Sequence, residues 1–315
     1  RAFSNSPIWP AARLGPNSIG PCWSSNRPMK PSSRVIGLVG LGLTGSALAE
    51  RLLKARFTVV GFDVKAARRR AFRKLGGQPV ASAAAVAEAC SRIIFSLPTT
   101  SVVESVVREM GDELRGGSII LDTTTGEPDR TAALAARLAA RKVSYLDATL
   151  VGSSAEALSS GVTVLVGGSR KTFAACGDLF ACFARRTFHV GASGNGARMK
   201  LVVNLVLGLN RAVLAEGLAF ARAIGVAPAR ALEILSAGAA YSRVMETKGS
   251  KMLNRNFAPQ ARLSQHLKDV RLILSLGRRR RAKLPLSTLH GRLLSQLEAA
   301  GYGGKDNSAI IRAFE

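Results

Sequence analysis

Between residues 34 and 146, short runs dominated by Val, Ile, Leu and Phe alternate with longer Ala-rich stretches whose apolar positions recur every three or four residues. The runs at 34–39, 57–62, 92–95, 118–121 and 143–146 are too short for helices and are rich in β-branched residues, so they predict strands. The stretches around 43–56, 82–90, 100–110 and 128–141 predict helices, and Pro128 suits a first helical turn. Strict alternation of strand and helix implies right-handed crossovers. The predicted fold class is therefore α/β, a Rossmann-type doubly wound and mostly parallel sheet.

After about residue 191 the strand signal stops. Residues 195–224 predict a single helix of roughly 45 Å at about 1.5 Å per residue, and helical patterns follow near 227–236, 261–277, 285–300 and 307–314. The expected organisation is a nucleotide-type sheet domain over 34–193 and an all-helical C-terminal domain over 194–315 that includes the long connecting helix. Residues 1–33 hold six prolines, no acidic residue and no hydrophobic period. They are expected to lie outside the fold as a disordered or non-native extension. Residues 1–28 read either as an organelle-targeting segment or as chain ahead of a start at Met29, and the second reading is preferred.

Composition narrows the function classes. A chain of 315 residues suits about two domains. With 47% hydrophobic and 21% charged residues, general disorder is excluded. No run reaches the roughly 18 apolar residues of a membrane span, so no membrane partner is expected. Lys and Arg number 45 against 20 Asp and Glu, a formal charge of +25, which predicts anionic partners and non-specific polyanion binding at low salt. The four cysteines show no C-x-x-C spacing and the three histidines are not paired with them. Neither a metal site nor a disulfide framework is indicated, and a reducing, cytoplasmic setting fits.

The sharpest chemical signal is Gly40-Leu41-Gly42-Leu43-Thr44-Gly45, a G-x-G-x-x-G run between a predicted strand and a predicted helix. In that context the glycines permit a tight turn and close backbone approach to a pyrophosphate, whose charge meets the amides of the helix N-terminus. Asp63 ends the second predicted strand, where a carboxylate accepts hydrogen bonds from the adenosine ribose and repels an extra phosphate. NAD is the expected cofactor. NADP is the alternative, because Lys65 and Arg68 lie close enough in sequence to meet a phosphate.

This loop resembles that of the β-hydroxyacid dehydrogenase family, which includes 3-hydroxyisobutyrate dehydrogenase, tartronate semialdehyde reductase, L-threonate dehydrogenase and, more distantly, 6-phosphogluconate dehydrogenase. Later motifs follow in the family's order. Asp122-Thr123-Thr124-Thr125 is similar to its D-x-[ST]-T segment, and Asp147 to Ser153 stands at its D-A-P-V-S-G-G. Gly194-x-Gly196-x-x-x-Lys200-x-x-x-Asn204 resembles its catalytic-helix motif and Lys268-Asp269 its K-D pair. The resemblance implies an oligomeric oxidoreductase that interconverts a small hydroxy acid and its semialdehyde or keto acid. It implies Lys200 and Asn204 as catalytic residues, and Leu97, Pro98, Thr125 and Lys268 on the cofactor side. It further implies that Val151, Gly152 and Ser153 meet the substrate.

The residues support that chemistry independently. A spacing of four puts Lys200 and Asn204 on one helix face, where both reach a single substrate oxygen. A lysine can protonate the alkoxide formed by hydride transfer, or take the hydroxyl proton in reverse when its pKa is lowered. Here a positively charged cleft and a nearby nicotinamide ring are expected to lower it. Two departures stand out: Val151 replaces a serine that donates a hydrogen bond, and Thr149 replaces a proline. The competing reading is a non-catalytic module of the same fold that binds nucleic acid through Arg68-Arg69-Arg70, Arg73-Lys74 and Arg278 to Arg281. Against it, aromatic residues for base stacking make up only 5% of the chain.

Overall fold

The computed structural model describes residues 34–315, so the expectations for 1–33 fall outside the described residues. Strands β1 (Val35–Val39), β2 (Thr58–Phe62), β3 (Gln78–Pro79), β4 (Arg92–Phe95), β5 (Ile119–Asp122), β6 (Ser144–Val151), β7 (Val162–Gly167) and β8 (Ala184–His189) form one sheet in the order 3-2-1-4-5-6-7-8. All pairings are parallel except β6 with β7. The intervening helices are α1 (Leu43–Lys54), α2 (Ala66–Lys74), α3 (Ala83–Ala89), α4 (Thr100–Met110), α5 (Pro128–Ala140), α6 (Ser154–Leu158), α7 (Arg170–Ala175) and α8 (Gly177–Phe183).

The apolar runs become strands because each buries both of its faces. Ile36, Leu38, Ile94, Leu121 and Leu146 join Leu48, Leu52, Phe72, Phe180 and Phe183 in one core. Their neighbours in sequence, Val39, Ile93, Phe95 and Ile120, face the other way and pack with Val103, Met110, Leu134 and Leu138. Period-two alternation thus sorts one sheet between two helical layers.

The helical part contains α9 (Asn195–Ala223), α10 (Pro228–Ala237), α11 (Ser250–Leu253), α12 (Leu263–Arg279), α13 (Pro285–Leu297) and a closing 3₁₀ segment, Asn307–Phe314. Its core gathers Leu214, Leu218, Val244, Leu263, Leu267, Val270, Leu294, Leu297, Ile310 and Ile311. Buried Lys248 donates to both oxygens of Asp306, at 2.9 Å each, and the Gln260, Ala261 and Ser308 amides complete that carboxylate's shell.

Three differences from the sequence reading have physical causes. The sheet has eight strands rather than five: β3 is only two residues long, and β8 is an edge strand whose exposed Arg185, Arg186 and Phe188 hide its period. β7 is a β-branched run beyond the last predicted strand, and it pairs antiparallel with β6. The third difference is α9, whose length and composition suffice to cross a membrane, with mean hydropathy 1.5 over 18 residues. Asn204, Asn210 and Arg211 interrupt its apolar run, and Asn204 and Arg211 are buried within the protein.

Candidate active site

The glycine loop is shaped by steric need. Gly40 has φ +96°, and a Cβ there would lie 2.2 Å from the Ser96 carbonyl oxygen. At Gly45 a Cβ would lie 1.9 Å from the Gly40 oxygen, so α1 can approach the loop only without a side chain. Around Gly42 the space is open, with the Arg68 guanidinium the nearest group at 3.8 Å. Gly42 caps α1 with no side-chain bond, and no acidic residue occupies the first turn. The helix's leading amides are therefore free to receive a pyrophosphate, and the residues fit a dinucleotide.

Asp63 is buried where β2 ends. Its Oδ2 accepts from the Leu41 amide at 2.9 Å and from Arg68 Nη1 at 3.0 Å, and its Oδ1 accepts from the Lys65 amide at 2.8 Å. Burial pushes the carboxyl upward, but the Lys65 and Leu41 amides and Arg68 together hold it below its ordinary value. One lone pair on Oδ1 remains for a ribose hydroxyl. Arg69, Arg70 and Arg73 line a neighbouring cavity of about 350 Å³ with Pro79 and Val80.

At the ends of β4 and β5, Thr124 Oγ1 accepts from the Leu97 amide at 3.3 Å, joining the two turns expected on the cofactor side. Asp122 fixes the second turn by accepting from the Thr124 amide and the Tyr145 hydroxyl. Lys268 arrives from α12 and donates to the carbonyl oxygens of Pro98, at 3.2 Å, and Thr125, at 3.1 Å. Pro98, Thr125 and Lys268 thus meet, although 170 residues separate the first from the last.

The start of α9 is fastened to the sheet. Asp147 on β6 accepts from the Gly194 and Ala197 amides, each at 2.8 Å, and the Thr149 hydroxyl donates to the Gly196 carbonyl at 3.1 Å. Gly194 is left-handed, and a Cβ on Gly196 would stand 2.4 Å from the Asp147 carbonyl oxygen. The two glycines of the motif therefore serve the seating of the helix on β6 and β7. One and two turns later come Lys200 and Asn204, both buried.

Lys200 makes no hydrogen bond or ion pair with a described residue. Burial, joined by Lys268 and opposed by Asp269, brings its pKa down to about 8. Desolvation is the larger cause of this shift, and the positive charge expected to produce it contributes less, through Lys268. Asn204 donates from Nδ2 to Asp269 Oδ2 at 2.9 Å, a partner the sequence reading had not assigned.

Val151 closes β6 and Gly152 follows with φ +138°. Ser153 caps α6: its hydroxyl accepts from the Glu156 amide, and its own amide donates to Glu156 Oε2 at 2.7 Å. The Ser153 amide is thus already engaged by a carboxylate of the chain. Arg243, from the helical part, donates to the other Glu156 oxygen at 3.0 Å. Of the basic runs, Arg279 and Arg280 are held with Arg198 around Asp129, and Arg68 and Arg69 are bound to Asp63. Those arginines serve internal contacts before any external anion.

Residues 35–191 match the family described as the NAD binding domain of 6-phosphogluconate dehydrogenase, and 194–314 match the NAD-binding family of NADP-dependent 3-hydroxyisobutyrate dehydrogenase. The chain is 32% identical over 284 residues to 2-(hydroxymethyl)glutarate dehydrogenase of Eubacterium barkeri, covering 89% of this chain and 94% of that protein. It is 28% identical over 286 residues to L-threonate dehydrogenase of Cupriavidus necator, covering 90% and 96%. Among solved structures, 3-hydroxyisobutyrate dehydrogenase of Mycobacterium tuberculosis superposes with a TM-score of 0.84 at 22% identity, covering 90% of this chain and 99% of that one, a likeness of fold.

Proposed function

The chain belongs to the β-hydroxyacid dehydrogenase family, within the 6-phosphogluconate dehydrogenase NAD-binding superfamily, and from that premise we propose how this NAD(P)-dependent dehydrogenase of CH–OH groups performs its reaction. The observation that carries the reading is Lys200: a buried amine with a depressed pKa and no partner among the described residues, one helical turn from Asn204. The bound nicotinamide supplies or accepts the hydride.

In the reductive direction the Lys200 ammonium gives its proton to the oxygen that becomes the hydroxyl. In the oxidative direction the neutral amine takes that proton. With a pKa of about 8, both forms are accessible close to neutral pH. Asn204 fixes the same oxygen, and burial of the pair excludes competing water. The amides of α1 hold the pyrophosphate, Asp63 the ribose, and Lys268 with Thr125 and Pro98 borders the nicotinamide side.

NAD is the preferred cofactor of this reading, on the strength of Asp63, while Arg68 gives NADP a partner for its phosphate. The substrate is a small hydroxy acid or its semialdehyde. Val151 offers no hydrogen bond to a carboxylate, which argues against 3-hydroxyisobutyrate bound in the family's standard way and leaves a polyhydroxylated acid such as threonate, or tartronate semialdehyde, as a candidate. Val202, Val206, Val213 and Phe220 leave an apolar stripe of α9 exposed, and a second copy of the chain is proposed to cover it. The buried, unpaired thiols of Cys90, Cys176 and Cys182 support a reducing, cytoplasmic setting.

The test is turnover of the purified chain with NAD and with NADP on a panel of three- to six-carbon hydroxy acids and their aldehydes. The reading requires at least one acid to be oxidised in a Lys200-dependent manner. Failure on the whole panel with both cofactors would refute the substrate class.

A further inference from the structure

Asp269 follows Lys268 on α12, and its two oxygens face different groups. Oδ2 accepts from Asn204 Nδ2 at 2.9 Å, while Oδ1, buried and without a hydrogen bond, lies 3.6 Å from Lys268 Nζ. A carboxylate can only accept, so the Asn204 amide must present its NH₂ group to Asp269 and its carbonyl oxygen to the opposite side. That carbonyl accepts from no described residue. It is left for the substrate hydroxyl or the Lys200 ammonium.

We propose that Asp269 is a positioning residue: it orients Asn204 so that the amide oxygen meets the reacting hydroxyl, and its charge, beside Lys268 and near Lys200, favours the protonated form of Lys200. The proposal rests on the reading of Lys200 as the proton carrier and adds what governs that carrier. Asp269 is the group that opposes the loss of the Lys200 proton, against burial and Lys268. Burial raises the Asp269 carboxyl itself, while Lys268, Lys200 and Asn204 favour its ionised form.

The other titratable groups along this wall do not compete near neutral pH. His266, one turn earlier on α12, and His290 on α13 have their ring centroids 5.2 Å apart, with the rings tilted by 46°. Burial and the Arg211 guanidinium from α9 keep both imidazoles neutral. The group beside Asn204 that changes its charge on passing through about pH 8 is therefore Lys200.

The experiment compares the pH dependence of kcat/KM for hydroxy-acid oxidation in the native chain, Asp269→Asn and Asp269→Glu. Asp269→Asn keeps an oxygen for the Asn204 amide and removes the charge, so the rising limb should move to lower pH by about one unit, a tenfold change in the Lys200 equilibrium. Asp269→Glu keeps the charge but displaces the acceptor. Its limb should stay near the native pH while plateau kcat falls by up to about 100-fold from misplacement of Asn204.

A native limb in folded Asp269→Asn, or an unchanged plateau in Asp269→Glu, overturns the proposal. If Asp269→Asn does not fold, the plateau of Asp269→Glu decides. Lys200→Met separates the two levels of inference. If it keeps native turnover, the proton-carrier reading falls and takes this one with it; if it abolishes turnover while Asp269→Asn keeps the native limb, this proposal alone fails.

Discussion

Lys268 crosses from the helical part to the sheet and ends with its ammonium 3.1 Å from the carbonyl oxygen of Thr125. The contact brings the lysine of one motif onto the backbone of another, 143 residues earlier. The reaction centre is thus bounded by elements from both halves of the chain, and its parts can be tested separately.

Lys200→Met should abolish measurable turnover, a loss of at least about 10²–10⁴-fold for a general acid–base group. NAD(P) affinity should stay within a few-fold, because the amides of α1 and Asp63 lie elsewhere. Isothermal titration beside steady-state kinetics separates the two effects, and a loss of cofactor binding would assign Lys200 a structural role instead.

The direction of the reaction should set the sign of its pH dependence. Oxidation needs the neutral amine and should rise as pH passes about 8, whereas reduction needs the ammonium and should fall over the same interval. Profiles of kcat/KM in both directions should share that one apparent pKa. Two parallel limbs would exclude Lys200 as the titrating group.

Cofactor choice should follow Arg68. Arg68→Ala frees an Asp63 lone pair for the ribose and removes the cation nearest the loop. KM for NADP should rise roughly tenfold or more, a charge-assisted hydrogen bond being worth about 1.5–3 kcal/mol, with KM for NAD unchanged or lower. Equal effects on the two cofactors would show that Arg68 does not sense the phosphate.

Val151→Ser restores a hydroxyl at the end of β6. For a short hydroxy acid KM should fall by roughly tenfold, the effect of one hydrogen bond to a carboxylate. A higher KM would mean that Val151 packs against the substrate carbon chain.

Stability should be concentrated in the Lys248–Asp306 pair. Lys248→Met leaves a fully buried carboxylate without its cation and should cost about 3–5 kcal/mol, toward the lower end because three backbone amides still hold Asp306. Urea denaturation measures it, and a change below about 1 kcal/mol would mean that the amides alone suffice.

Much of the fold is legible because it is local. Apart from the two-residue β3, the strands up to residue 146 and the helical part announce themselves by period, and Gly40 to Gly45 by spacing. α2 escaped because Arg68, Arg69, Arg70 and Arg73 leave Phe72 as its buried residue. In the site, Lys200 and Asn204 were readable as a pair on one helix face. Asp147 and Thr149 were not readable as the clasp of that helix, since their partners lie 47 or more residues away. Ser153 carries a local signal of its own: Ser153-x-x-Glu156 is a capping box, which commits both the hydroxyl and the amide of a residue expected to meet substrate. The Asn204–Asp269 bond joins two helices 65 residues apart, a distance no spacing rule spans.

The clasp of α9 by Asp147 and Thr149 has a mechanical consequence. With three bonds pinning its first turn to β6, α9 carries Lys200 as part of the sheet's wall. α12 shares an apolar core with α9 through Leu263, Leu267 and Val270, and at Gly208 the two helices come so close that a Cβ would stand 2.4 Å from the His266 ring. Lys200, Asn204 and Asp269 are therefore registered by one packed interface, so that a change in that packing reaches the three together.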